Sequence, residues 1–265
     1  MNGGRLSRRR PLWLTVYAVL FVGFLYLPVL LLPLFSLNDS TIVAFPLQGF
    51  TLRWYGELGG SPQLITALWN SLTVGAVVSV LATVLGTLGA WAVTRYRLPG
   101  KPLAVGFIML PIVAPLIVLA VAVFMLLVAT GIELSLLTVG FGHLIVCLPF
   151  AFSVMTSRLE SFDASLVRAS RDLGEGRVQT LLRVVLPISL PGIVSSLLLT
   201  FTISFDEFVL SFFLTASDAT LPVYVWSQLR FPERLPVVLA LGSLILLGSC
   251  LLVGVGEWFR RRRQA

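Results

Sequence analysis

Residues Glu160 to Ile193 read ESFDASLVRASRDLGEGRVQTLLRVVLPISLPGI, a charged, amphipathic run in a chain that is otherwise almost wholly apolar. Read locally, Asp163 caps a helix whose apolar positions Leu166, Ala169 and Leu173 recur at steps of three and four. Gly174 and Gly176 interrupt that helix, as a C-cap and a turn require. A second helix then carries Val178, Leu181, Leu182, Val185 and Leu186, and Pro187 and Pro191 are expected to bend the chain into the apolar sequence that follows. Two short amphipathic helices joined at a glycine make a compact knob. Such a knob either docks on a soluble partner or lies on lipid headgroups.

The rest of the chain explains why it stands out. Of 265 residues, 57% are hydrophobic and 12% are charged, where a soluble domain carries about 25% charged residues. With a mean hydropathy of +0.96, this is a polytopic, all-α integral membrane protein. The net charge of +7 comes from 19 basic residues, all arginine except Lys101. They sit in short loops between apolar runs rather than on one face of a folded domain, which argues against nucleic acid as a partner. Cys147 and Cys250 lie inside apolar runs with no metal-ligand spacing and read as small buried residues. The N-terminal MNGGRLSRRR, followed by apolar sequence to Phe35, is expected to open an uncleaved first span, since that run is too long for a signal peptide.

A hydrocarbon core of about 30 Å needs about 20 mainly apolar residues in helix. Six stretches qualify: Leu12 to Phe35, Leu64 to Val93, Leu103 to Ala129, Val139 to Met155, Ile188 to Leu214 and Pro236 to Phe259. Sixteen of the basic residues fall on one side: Arg5, Arg8, Arg9 and Arg10; Arg95, Arg97 and Lys101; Arg158, Arg168, Arg171, Arg177 and Arg183; and Arg260 to Arg263. Only Arg53, Arg230 and Arg234 fall on the other. The positive-inside rule therefore puts both termini and the Glu160 stretch in the cytoplasm, with the basic tails set against anionic lipid.

Between the first two spans, Ser36 to Pro62 forms an external segment with turn formers at Asn38-Asp39-Ser40, and Trp54 and Tyr55 are expected at the membrane interface. The second span carries Gly75, Ser79, Thr83, Gly86 and Gly89 at helical spacing, which permits close helix contact inside a bundle. The last span repeats the device with Gly242, Ser249 and Gly256. No GxxxxGK[ST] phosphate loop occurs, so any ATP-driven motor resides on another chain.

In the fifth span, Asp206 and Glu207 interrupt the apolar run TFTISFDEFVLSFF. Each acidic residue at a helix centre costs about 2.5 to 3.5 kcal/mol to insert, so both should face protein or water. On one helix, Ser196, Thr200, Ser204, Glu207 and Ser211 share a face, while Ser195, Thr202 and Asp206 share another. Two readings stay open. Both carboxylates bond within the bundle, or Ser204, Asp206, Glu207 and Ser211 form the substrate pathway, with Glu207 lining it and Asp206 also fixing helix packing. His143 reads as a hydrogen-bonded core or interfacial residue, and Glu133 as a solvated turn residue. Nothing suggests a catalytic constellation or a metal site.

At this point a resemblance emerges. Permease subunits of bacterial ABC importers carry a cytoplasmic motif of E-A-A, three residues, G, nine residues, I, one residue, L-P. Here Arg168-Ala169-Ser170, Gly174, Val184 and Leu186-Pro187 reproduce its spacing, with arginine in place of the glutamate, serine for the second alanine and valine for the isoleucine. The chain resembles in particular the second permease of polyamine importers, through FSLNDS and GFTLRWY between Phe35 and Tyr55, WNSL at Trp69 to Leu72, SFDEFVLSFF at Ser204 to Phe213 and TLPV at Thr220 to Val223. The resemblance implies one transmembrane permease domain over 1–265 with a cytoplasmic coupling segment at 158–187, in a bacterial inner membrane. It implies a second six-span permease, a different chain, two ATP-binding subunits that use ATP and Mg, and an external substrate-binding protein. On this reading the chain is no enzyme and binds no cofactor itself. Arg168, Ala169, Ser170, Asp172, Gly174, Leu186 and Pro187 contact the ATPase, and the solute is a polyamine such as spermidine or putrescine. Related permeases carry opines, phosphonates or other organic ions.

Two other classes remain to be weighed. An ion-driven secondary transporter would show internal repeats with ion ligands in corresponding halves, and none is evident between residues 1 to 132 and 133 to 265. A membrane-embedded enzyme would need the catalytic constellation that is missing.

Overall fold

The computed structural model describes residues 12–262 apart from Arg97 and Phe162, and side chains as far as Leu251 except that of Ala164. Arg5, Arg8, Arg9, Arg10, Arg97 and Arg263, together with the side chains of Arg260 to Arg262 and the packing of Gly256, lie outside that description. The elements are α1 (Leu12–Ser36), α2 (Arg53–Gly59), α3 (Pro62–Arg95), α4 (Lys101–Val113), α5 (Leu116–Ala129), α6 (Leu136–Glu160) and α7 (Ala164–Asp172). They continue with α8 (Arg177–Thr180), α9 (Leu186–Phe205), α10 (Val209–Leu214), α11 (Leu221–Gln228) and α12 (Leu235–Arg262). Among the described residues the extended structure is a lone antiparallel bridge between Asn38 and Phe50. Five helices are long and apolar enough to cross a membrane, six if the bent pair α4 and α5 counts as one span.

Two of the six expected spans are not single helices. The third breaks at Ala114–Pro115, where α4 and α5 meet at a bend of 106°. Pro115 pushes the residue before it out of the helical region, and Ala114 is extended at φ −70° and ψ 137°. The fifth runs unbroken from Arg177 to Phe205, stops, and resumes as α10. It passes through Pro187 and Pro191, expected to bend the chain, without a break. A π-helical turn at Leu181–Val185 leads into α9, and Pro187 is the second residue of α9, directly after that wider turn. The fourth span, expected to be short, extends over Leu136–Glu160.

The chain folds as two compact units, one of residues before Gln63 with those after Trp226, the other Gln63–Trp226. In the first, α1 and α2 pack on α12. The buried Ser243 hydroxyl donates to Leu239 O at 2.8 Å and lies 3.3 Å from Ser36 Oγ. Ser249 and Cys250 are exposed, which corrects the expected seven-residue packing repeat and the burial of Cys250. Trp54, expected at the membrane interface, is buried, and its Nε1 donates to Asn38 O at 2.8 Å, so the indole's polar tip is satisfied within the protein. Tyr55 Oη meets Ser36 Oγ at 2.6 Å. Arg53 stacks 4.1 Å over the Trp54 ring and pairs with Asp39 at 3.0 Å.

The second unit is built on α3. One apolar cluster joins Val74, Val78 and Ala82 of α3 to Ala120, Val123 and Leu127 of α5, Cys147 and Ala151 of α6, and Leu210 and Leu214 of α10. A second joins Ala90, Trp91 and Val93 to Phe152, Met155 and Leu159 of α6, Val167 of α7 and Val185. The small residues of α3 make this possible. A Cβ on Gly86 would stand 2.8 Å from Phe152 N and 2.9 Å from Ala151 C, and one on Gly75 would stand 3.2 Å from the Phe201 ring. Ser79 and Thr83 are buried on the same side. The outer surfaces are apolar, from Leu103 and Phe107 to Val113 and Leu198, as a surface that faces lipid must be.

Candidate functional site

Two places concentrate polar chemistry, both in the second unit. The first is the knob between α6 and α9. Asp163 Oδ1 accepts from Ser165 N at 2.8 Å and caps α7, and that bond holds the Asp163 carboxyl below its ordinary range. At the other end, Glu175 N donates to Ser170 O at 3.2 Å and Gly174 N to Arg171 O at 2.9 Å, the paired bonds of a Schellman turn. Gly174 stands at φ +89°, where a side chain would be strained. Gly176 opens α8, its N–H donating to Gln179 Oε1 at 2.8 Å.

Side chains then lock the two helices together. Ser170, buried, shares a 3.1 Å hydrogen bond with Thr180 Oγ1 and lies 3.4 Å from Glu175 Oε2. Arg183 pairs with the other oxygen of Glu175 at 2.8 Å, and Arg177 sits 5.7 Å over the Tyr96 ring at the end of α3. Thr180, Glu175 and Arg183 carry no spacing signature and were not singled out from the sequence. The serine at the motif's second alanine position thus has a structural partner. Below the knob, Arg158 Nη2 donates to Ile188 O at 2.8 Å, and its stem lies where a Cβ on Gly192 would be, 2.8 Å away.

The apolar stripe of Leu166, Ala169 and Leu173 faces outward. Val167 and Ser170 are the buried positions of α7. Leu173 is 86% exposed, Val178 68%, Leu182 57% and Leu166 44%. Arg168, Ala169, Asp172, Gly174 and Pro187 are exposed with them, and Leu186 is half-buried. The knob is thus fixed to α3 and α6 on one side and presents apolar residues ringed by arginine on the other.

The second place is the interruption of the fifth span. Asp206 ends α9 at φ −93° and ψ 0°, and its side chain is exposed. The Glu207 carboxylate reaches forward along the chain, with Oε1 accepting from Leu210 N at 3.0 Å, and so caps α10. The expected shared face is therefore divided. Ser204 and Ser211 are buried and bond to the two ring nitrogens of His143, each at 2.9 Å. Of the two carboxylates expected in the pathway, Asp206 is the open one, and Glu207 has one oxygen committed to the backbone. Thr83 shares a 3.0 Å hydrogen bond with Ser196. Phe208, Phe212 and Trp226 stand beside the interruption with ring centroids 5.2 to 5.8 Å apart. The WNSL and TLPV segments meet nearby, where Asn70 Nδ2 donates to Ala219 O at 3.0 Å and Ser71 Oγ accepts from Leu221 N at 2.8 Å. Among the described residues no three His, Cys, Asp or Glu side chains gather where a metal could bind.

Comparison with known proteins places this arrangement. Residues 82–265 match the family described as "Binding-protein-dependent transport system inner membrane component". The chain is 34% identical over 240 residues to the spermidine/putrescine transport system permease protein PotC of Escherichia coli (strain K12), covering 90% of each chain. It is 33% identical over 262 residues to the putrescine transport system permease protein PotI of the same organism, covering 96% of this chain and 92% of that one. A solved bacterial ABC transporter involved in the import of the acidic polysaccharide alginate shares the fold, with a TM-score of 0.69 over 96% of this chain and 98% of that chain at 18% identity.

Proposed function

The chain belongs to the inner membrane components of binding-protein-dependent transport systems, and from that premise we propose that it forms half of the pathway of an ABC importer for a polyamine. The observation that carries the polyamine reading is identity of 33–34% along nine-tenths or more of the chain to permeases named for spermidine and putrescine. The open carboxylate of Asp206 beside Phe208, Phe212 and Trp226 supports it, because ammonium groups and methylene chains suit that pairing of charge and aromatic surface.

The chain acts as a lever. The knob offers Leu166, Leu173, Val178 and Leu182 to a separate ATPase that consumes ATP and Mg. Its own bonds and the Val167 and Val185 contacts keep it rigid. From Arg177 the helix continues to Phe205, about 43 Å at 1.5 Å per residue, and ends at Asp206. A displacement of the knob by the ATPase therefore reaches the acidic pair through one element. The arginine distribution sets the knob and both termini in the cytoplasm. A second, different permease completes the pathway, and an external binding protein delivers the solute. Arg168, at the motif's glutamate position, meets an acidic residue of the ATPase or solvent.

Uptake of labelled putrescine and spermidine by cells expressing the whole system tests the pathway reading. Asp206→Asn, at unchanged abundance, is expected to lower uptake about tenfold, the loss of one charge-assisted contact. Glu207→Gln keeps the oxygen that caps α10 and removes only the charge, so its effect is expected to be smaller. Native uptake by Asp206→Asn would end the assignment of that carboxylate to the path.

A further inference from the structure

We propose that His143 is a positioning residue that holds the fifth span broken and thereby sets where the Asp206 carboxylate stands; this rests on the assignment of Asp206 to the pathway. Sharp interruptions of helices are ordinarily traced to proline, glycine, a π-bulge or an inserted side chain. No glycine or proline occurs between Ile193 and Leu214, and the π-helical turn lies far upstream at Leu181–Val185. Residues 193 to 214 therefore hold neither of the usual helix-breaking residues. The break is imposed from outside.

The imposing group is an imidazole on α6. His143 is 1% exposed. Its Nδ1 lies 2.9 Å from Ser204 Oγ, in the last turn of α9, and its Nε2 lies 2.9 Å from Ser211 Oγ in α10. Ser211 Oγ in turn donates to Glu207 O at 2.9 Å. Ser211 Oγ is within hydrogen-bond reach of both Nε2 and the Glu207 carbonyl, so whichever ring nitrogen carries the hydrogen the bonds form one chain from Ser204 through His143 and Ser211 to the Glu207 carbonyl, spanning the break. Beside it, Gly142 leaves the space into which Leu210 and Leu214 pack, so α10 rests directly on α6. With the imidazole gone, each serine falls back on its own helix, and the penalty against a straight or differently bent segment is removed. Asp206 is then carried to another position.

The test is the concentration dependence of putrescine uptake by the whole transporter carrying His143→Phe, His143→Gln or Asp206→Asn, with co-purified ATPase measured in parallel. His143→Phe fills the space without hydrogen bonds. It is expected to raise the KM about tenfold, the scale of two neutral hydrogen bonds, with ATPase association at the native level. His143→Gln, which restores a donor and an acceptor, is expected to recover part of that change. A native KM in His143→Phe together with a raised KM in Asp206→Asn would overturn the positioning role and leave the pathway intact. A native KM in both would overturn the pathway reading and this inference with it. Should His143→Phe fail to accumulate, Ser211→Ala removes one link with little change in packing: a raised KM supports the proposal and a native one overturns it.

Discussion

Gly86→Leu is expected to abolish accumulation of the folded protein. A Cβ at this position would stand 2.8 Å from Phe152 N and from Ala151 Cβ, and 2.9 Å from Ala151 C. Two of those atoms are backbone, which cannot rotate aside. The only relief is to part α3 from α6, and that opens both apolar clusters of the unit at once. It also pulls Arg95 Nη2 from Leu159 O, now 3.1 Å away. Overpacking a core ordinarily costs about 1 to 3 kcal/mol; where the obstacle is backbone along a whole helix pair, the cost exceeds what a marginally stable fold can absorb. Gly75→Ala is the graded control, because its neighbour is the edge of the Phe201 ring, a side chain that can shift. Gly106→Ala, with nothing within 4 Å, should accumulate normally. Yield and thermal stability in detergent read all three, and a native-like Gly86→Leu protein would refute the packing account.

Leu173→Asp is expected to leave the permease folded and to detach the ATPase. At 86% exposure the leucine packs on nothing in this chain, so its replacement should not lower stability. On the docking reading it becomes a buried apolar anchor in the complex, where truncation typically costs about 2 kcal/mol or more, at least about thirty-fold in affinity. A carboxylate adds a desolvation penalty. Val178→Asp should act the same way. Val167→Asp should instead destroy the knob from within, since Val167 is buried against the ends of α3 and α6. Affinity purification of the permease with its ATPase separates the cases: Leu173→Asp yields intact permease without ATPase, Val167→Asp yields little permease. Native co-purification by Leu173→Asp would show that this face is not the dock.

The parts of the knob that depend on neighbouring residues were legible in the sequence, because caps and turns are local. Asp163, Gly174 and Gly176 do in the structure what their residue types suggest. Its orientation was not, since periodicity marks an apolar stripe without saying whether core or partner will cover it. The spans followed from hydropathy for the same reason that their breaks did not: Leu103 to Ala129 is apolar on both sides of Pro115, and only the proline betrays the bend. The interruption at Asp206 has no proline or glycine to mark it, only the acidic pair whose Glu207 caps the next helix. Its cause, His143, lies on another helix, and a pattern read along one helix assigned Ser204, Glu207 and Ser211 to a single open face that the break divides. The burial of Trp54 has no local signal, because its bonding partner, the Asn38 carbonyl, lies sixteen residues away.

The most direct test of the central claim is uptake into proteoliposomes holding this permease with its partner permease and ATPase, supplied with the external binding protein and labelled putrescine or spermidine. The account predicts accumulation that requires both ATP on the ATPase side and the binding protein on the other, and that collapses with Leu173→Asp. Accumulation by this chain alone, driven by an ion gradient and indifferent to ATP, would contradict it.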